Sequence, residues 1–212
     1  FSLSGALQHA SRFGMTQLNL YTLHTNLALF SNFTYFLDDP VNGDQFSQVD
    51  KRFQSAMNLS HLWVNRIGGL EVENTAGIQF QNDVIDNGLL STKQRQTLST
   101  TRKDHINQNS VGLYYQNSIQ WLEKFRSVAG VRSDYYWFDV SSHQAVNSGK
   151  RYDSITNPKI SLIFGPWAQT EFYFNYGGGF HSNDARGTTT TVDPKSGDPV
   201  NRVNPLVRST GY

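Results

Sequence analysis

Between Asn157 and Gly187 the chain alternates apolar and polar side chains with a period of two, breaks, and starts again. Ile160, Leu162 and Phe164 precede the break at Gly165-Pro166-Trp167-Ala168, and Thr170, Phe172, Phe174 and Tyr176 follow it. Period-two patterning describes an extended strand with one apolar face, and a short Gly-Pro interruption turns two such strands into a hairpin. A long polar stretch, His181 to Arg208, comes next. A short turn at one end and a long connection at the other therefore frame the hairpin, and the rest of the chain repeats that asymmetry.

Taken in order, the apolar sets are Phe1, Leu3, Gly5 and Leu7; Tyr21, Leu23, Leu27 and Leu29 within an extended run over 17–36; and Phe53, Met57, Leu59 and Trp63. Next come Leu70, Val72, Ala76, Ile78 and Phe80, interrupted only at Asn74; then Val111, Leu113, Tyr115, Ile119 and Trp121; and Ala129, Val131, Tyr135 and Trp137. With the opening hairpin this makes about eight strands. Short connections fall at 11–15, 64–69, 122–125 and 165–168, and long ones at 37–50, 82–107, 141–154 and 181–208, with parts of 82–107 also readable as strand extending beyond a membrane. The expected fold class is all-β: an antiparallel up-and-down meander with every short turn at one end and every long loop at the other.

The polar faces decide what kind of sheet this is. They carry Glu71, Glu73, Arg132, Asp134 and Glu171. Buried in the core of a sandwich, such charges are costly unless paired, whereas lining a water-filled bore they cost little. Aromatic residues gather near the short turns (Phe13, Trp63, Trp121, Phe125 and Trp167), the arrangement of an interface girdle. The pattern therefore predicts part of a large transmembrane β-barrel, with Tyr21, Ile78, Tyr115 and Phe172 facing lipid. No run of eighteen apolar residues offers a transmembrane helix, but a barrel strand needs only about ten alternating residues. A net charge of +1 gives no basic field for nucleic acid, and the absence of Cys removes disulfides and thiolate chemistry.

Several stretches resemble one family. Asn157-Pro158-Lys159, Tyr173-Phe174-Asn175-Tyr176-Gly177 and Gly179 through Gly187 are similar to the mid-barrel region of TonB-dependent outer-membrane receptors. Gly130-Val131-Arg132-Ser133-Asp134 and Pro205-Leu206-Val207-Arg208-Ser209 resemble further segments of those receptors, and Phe33 through Pro40 resembles one subgroup of them, with the strands and loops in order. The resemblance implies a barrel of about twenty-two strands around a plug domain. It also implies location in the outer membrane of a Gram-negative bacterium, and uptake of a scarce small-molecule ligand such as an iron chelate, cobalamin or a sugar. Energy would come through TonB. Partners so implied are outer-membrane lipid and lipopolysaccharide, the receptor's own plug, TonB through an N-terminal box, and the ligand. Neither plug nor box lies within 1–212, so the expectation is a partial barrel. The ends support that reading: Phe1 already sits in an alternating run, and Leu206, Arg208, Thr210 and Tyr212 form no continuous apolar face. A passive eight-stranded barrel and a soluble all-β carbohydrate-binding module remain as alternatives.

No catalytic residue, metal site or cofactor is expected. His24, His61 and His105 are scattered without ligand spacing. Glu71 and Glu73 lie roughly 7 Å apart along a strand, close enough for an acid/base pair in principle, but two solvated lumen carboxylates near a turn account for them far better. Asp38, Asp39 and Asp44 lack the calcium-loop pattern and read as turn formers. Gly177-Gly178-Gly179 is followed by neither a Lys-Ser/Thr nor a helix, so it relieves crowding or bends a strand. Lys93, Arg95, Arg102 and Lys103 read first as a solvated loop face, and second as a basic patch for an anionic chelate or lipopolysaccharide. His181, Asn183, Asp184 and Arg186, where a strand enters a long loop, and Arg132 and Asp134 on a polar face are the candidates for contact with ligand or plug; for the loop-entry residues a loop-anchoring hydrogen-bond network is the plainer reading. The segments 82–107 and 181–208 are the expected outer recognition surfaces.

Overall fold

The computed structural model describes residues 1–211, so the C-terminal pattern ending in Tyr212 falls partly outside it. All described strands belong to one antiparallel sheet in chain order. They are β1 (Ser2–Ser11), β2 (Gly14–Ser31), β3 (Phe46–Ile67), β4 (Leu70–Lys93), β5 (Gln96–Leu122), β6 (Phe125–Ser142), β7 (Gly149–Trp167), β8 (Thr170–Ser182) and β9 (Leu206–Gly211). The meander is as expected, with nine strands rather than about eight; the ninth is the strand that Pro205 leads into. One short helix, α1 (Ala185–Thr189), interrupts the β8–β9 connection, and a single 3-10 turn, Ala145–Asn147, joins β6 to β7.

Cross-strand partners share a face, so register assigns every side chain to one side or the other. Phe80 pairs with Met57 and Val111, Ile78 with Leu59 and Leu113, and Ala76 with His61 and Tyr115. Tyr115 pairs on with Val131, and Leu162 with Phe174. These define the apolar face. It has no second layer over it: Leu113, Tyr115, Val131, Phe172 and Phe174 are exposed and Ile78 is half-buried.

On β4 this face is apolar from Leu70 to Phe80, apart from Asn74, about the length a tilted spanning strand needs. Above Phe80 the same face turns polar. Asn82 donates to Asn107 and Asn109 at 2.8 and 2.7 Å, and His105 pairs with Asp86 at 2.8 Å. Further along, Lys150 pairs with Asp139 at 3.0 Å. Strand β5, with 27 residues, has a contour of roughly 90 Å at about 3.3 Å per residue, far beyond a hydrocarbon layer of about 30 Å. The sheet thus has an apolar lower band and a tall polar upper part.

Three expectations need correcting. The stretch 141–154 is not a long loop: β6 runs to Ser142 and β7 starts at Gly149, so the connection is 143–148. The segment 82–107 is not a loop but the top of the β4–β5 hairpin. Gln94 and Arg95 close it, both at positive φ (50° and 66°), as a two-residue hairpin turn requires. Tyr21 does not face lipid. It pairs with Ala56, which pairs with Gln81, so Tyr21, Leu23, Leu27 and Leu29 lie on the polar face. Leu18 and Leu20, opposite Leu59 and Met57, are the apolar-face residues of β2.

The buried core lies on the polar face too. Ile85, Ile106, Phe138 and Val140 are sealed there against Ala185 of α1. The connection that follows β8 folds back over the upper half of that face and supplies the only cover these side chains have among the described elements.

Candidate functional site

At mid-height on the polar face, Arg132 of β6 anchors a charged network. Its Nε donates to both carboxylate oxygens of Asp134 at 3.0 and 2.8 Å, and its Nη1 donates to Gln79 Oε1 of β4 at 2.6 Å. The guanidinium crosses β5 at Gly112, which pairs with both Gln79 and Asp134. A Cβ on Gly112 would lie 2.3 Å from Arg132 Nη2 and 2.6 Å from Asp134 Oδ1, so only glycine leaves room for the pair. Asp134 is 2% exposed, and the bidentate arginine is what makes its burial tolerable.

Beside this network is a groove of ≈ 500 Å³ lined by Tyr114, Arg132, Asn157, Lys159, Gly178 and Phe180. The glycine triad shapes it. A Cβ on Gly177 would meet Lys159 Cβ at 3.3 Å, and one on Gly178 would meet Asn157 Oδ1 at 2.8 Å. Two consecutive residues therefore face the same side, as in a bulge. Beyond it the parity of β8 is reversed: Phe180 turns in to pack edge-on against Tyr136 with ring centroids 5.9 Å apart.

Higher up, α1 brings a second charged group onto the same face. Asp184 caps the helix, accepting from the Arg186 backbone N–H at 2.9 Å, and Arg186 Nε donates to Asp184 Oδ1 at 2.9 Å. Arg186 Nη1 also reaches Asn87 Oδ1 on β4, and Asn87 Nδ2 donates to Asp50 Oδ2 on β3 at 3.2 Å. Arg102 holds the fully buried Asp104 through Nε, and its Nη2 donates to Thr190 Oγ1 at 3.1 Å. Burial pushes the Asp184 carboxyl up, but the hydrogen bonds and charge of Arg186, together with Arg102, outweigh it and hold the carboxyl below the usual range. The pair Asp184–Arg186 therefore stays ionised across neutral pH. It lines a ≈ 220 Å³ cleft with Asp50, Arg52, Asn87 and Gln108.

Of the residues expected to touch ligand or plug, the fold brings Arg132 together with Asp134 and Asp184 together with Arg186, at two heights on one face. Asn183 does something different: its Nδ2 donates to Asn204 O at 2.7 Å and its N–H to Pro205 O at 2.8 Å, closing the base of the β8–β9 connection. His181 is exposed and, one residue after Phe180, points away from that face. Three of the four basic residues have partners of their own. Lys93 Nζ donates to Val41 O at 3.2 Å, Arg95 lies 5.5 Å over the Phe30 ring, and Arg102 is engaged with Asp104. Asp39 and Asp44 are turn formers: Asp44 accepts from the N–H groups of Leu37, Asp38 and Asp39, and Asp39 from those of Val41 and Asn42. His61 bonds Thr16 at 2.9 Å, while Glu71 and Glu73 are solvent-exposed near their turn. Asn147, fully buried and absent from the candidates, joins two of the upper connections. A lone Asn in a polar connection carries no sequence signal that distinguishes it.

The chain matches the family model for the TonB dependent receptor-like beta-barrel over residues 1–210. No curated protein matches the sequence. Among solved structures, the ferric citrate transporter FecA in the unliganded form aligns with a TM-score of 0.71 and 12% identity, over 84% of this chain and 27% of FecA. The copper transporter OprC aligns with a TM-score of 0.64 and 12% identity, over 88% of this chain and 30% of OprC. The chain thus spans under a third of each.

Proposed function

The chain belongs to the TonB-dependent receptor family, as a stretch of its β-barrel, and on that premise we propose that it is one wall of an outer-membrane receptor that imports a scarce ligand on energy delivered through TonB. The ligand class is an iron chelate, cobalamin or a similar small molecule, and the membrane is the outer membrane of a Gram-negative bacterium. The apolar face lies against lipid and, above Phe80, against lipopolysaccharide. The polar face lines the bore.

One observation carries this reading. A single unlayered sheet shows an apolar band from Leu70 to Phe80, and its opposite face carries ion pairs such as Arg132–Asp134. A soluble sandwich would cover the band with a second sheet. Within the bore, Arg132 and Asp134 are the residues for contact with the plug domain, and Asp184 and Arg186 those for ligand at the mouth. No covalent chemistry is part of this reading.

The test is uptake by cells expressing the intact receptor, given radio-iron citrate, a radio-iron catecholate and radiolabelled cobalamin in turn. Accumulation of one probe that disappears when TonB is deleted is the expected result. Accumulation that persists without TonB points to a passive channel and contradicts the energised reading.

A further inference from the structure

Connections as long as the one from β8 to β9 are commonly mobile, and a strand-flanked segment with nothing beneath it has little to hold it still. This one has a core of its own. Ala185 packs on Ile85, Ile106, Phe138 and Val140, and Thr188 and Thr189 are 0% and 2% exposed. Asn147, between β6 and β7, is also 0% exposed, and its amide bonds both its own connection and the neighbouring one. Its Nδ2 donates to Val192 O at 2.8 Å and to Gln144 Oε1 at 3.0 Å, while its Oδ1 accepts the N–H groups of Thr191 and Val192 at 2.9 and 3.1 Å. Thr191 Oγ1 donates to Val146 O at 3.2 Å, and Lys195 ties the far side to Asp38 at 2.9 Å. The connection between β2 and β3 differs: Phe33, Tyr35, Leu37 and Val41 are all exposed on it.

We infer that the 183–205 segment is a fixed constriction of the barrel mouth, locked by Asn147, and does not swing when ligand enters or leaves. Its place at the mouth rests on the barrel reading above; the lock rests on the contacts alone. A fixed segment keeps Asp184 and Arg186 preset beside Asp50 and Arg52. Asn147 acts through the segment it holds and is a positioning residue.

The chain has no cysteine, so single thiols report cleanly in an otherwise cysteine-free intact receptor. The experiment labels whole cells with a membrane-impermeant maleimide, energised or treated with a protonophore, using Ser196→Cys on the exposed rim and Thr189→Cys in the seal. The expected result is rapid labelling of S196C and labelling of T189C slower by at least about tenfold in both conditions, as for a site reached only by local unfolding. A second variant, Gly149→Cys with Thr189→Cys, places the thiols on carbons that would lie 3.9 Å apart, within the usual disulfide separation. It should oxidise to completion in cells, and adding Asn147→Ala should slow that oxidation and expose T189C. Labelling of T189C at a rate near that of S196C, or labelling that rises on energisation, overturns the fixed constriction while leaving the barrel reading intact. Failure of S196C to label means that this end is not outside the cell, and the placement of the segment at the mouth falls with it.

Discussion

Gly112 is where one atom decides whether a charged pair fits. Methyl addition there would bring a carbon to 2.3 Å from the Arg132 guanidinium and force it off Gln79 or Asp134. Overpacking of that kind costs about 1–3 kcal/mol, and a misplaced arginine leaves Asp134 buried and unpaired. Gly112→Ala should therefore lower the urea midpoint of the folded barrel in detergent. Gly5→Ala, where nothing lies within 4 Å of the new carbon, should leave the midpoint unchanged. Equal midpoints for the two variants would show that the network adds nothing to stability. The Arg132–Asp134 pair was legible in the sequence because a strict period of two put both residues on the polar side. His181 was not, because the parity of β8 reverses within Gly177-Gly178-Gly179, and no pattern of side chains announces a bulge made of residues without them.

At the scale of elements, the β2–β3 connection and the β8–β9 segment are held in different ways and should fail in different ways. Asp39 is held below the usual carboxylate range by the Asn42 backbone N–H, the Asn42 amide and the Val41 N–H. Burial raises Asp44, but the N–H of Asp38, the Thr34 hydroxyl and the N–H groups of Asp39 and Leu37 more than offset it. A carboxyl lowered in the folded state adds stability above its unfolded value of about 3.9 and loses it as pH falls through the folded one. Limited proteolysis should therefore find the 32–45 connection protected down to about pH 4 and cut only below it. Cutting that begins between about pH 5 and 7 would contradict this account.

The β8–β9 segment depends instead on Asn147. Asn147→Ala takes the side-chain partner from half-buried backbone groups of Thr191 and Val192, at up to about 1–3 kcal/mol per group. Hydrogen exchange across 185–192 should accelerate while β4 and β5 remain protected; unchanged exchange would remove the lock. Neither the β4–β5 tip nor the true face of Tyr21 was readable from pattern. Above Phe80 both faces are polar, so Asn82 through Asn107 lose the contrast that marks a strand, and Gln94-Arg95 lacks the usual turn residues. In β2 the upper polar face is itself apolar at Leu23, Leu27 and Leu29, and that run outweighs Leu18 and Leu20 in any count of alternation.

For the whole molecule, the account places two solvents on two sides of one sheet. The meander followed from period and turn spacing, since both are local properties of the chain; of the four long connections expected at one end, those over 32–45 and 183–205 are long. What covers the polar face did not, because α1 reaches Phe138 and Val140 through long-range packing that no window of sequence contains. In its native setting the intact protein should require detergent for extraction and migrate differently on gels before and after boiling. Extraction by salt alone would contradict the lipid-facing band.

The measurement closest to the central claim places nitroxide labels at Leu113→Cys on the apolar face and Gln116→Cys on the polar face of β5, in the intact receptor reconstituted in lipid. Power saturation should show Leu113 open to oxygen and shielded from a water-soluble nickel chelate, with Gln116 showing the reverse preference. If both positions favour the nickel chelate, or if the preferences are exchanged, the assignment of lipid and water to these two faces is wrong.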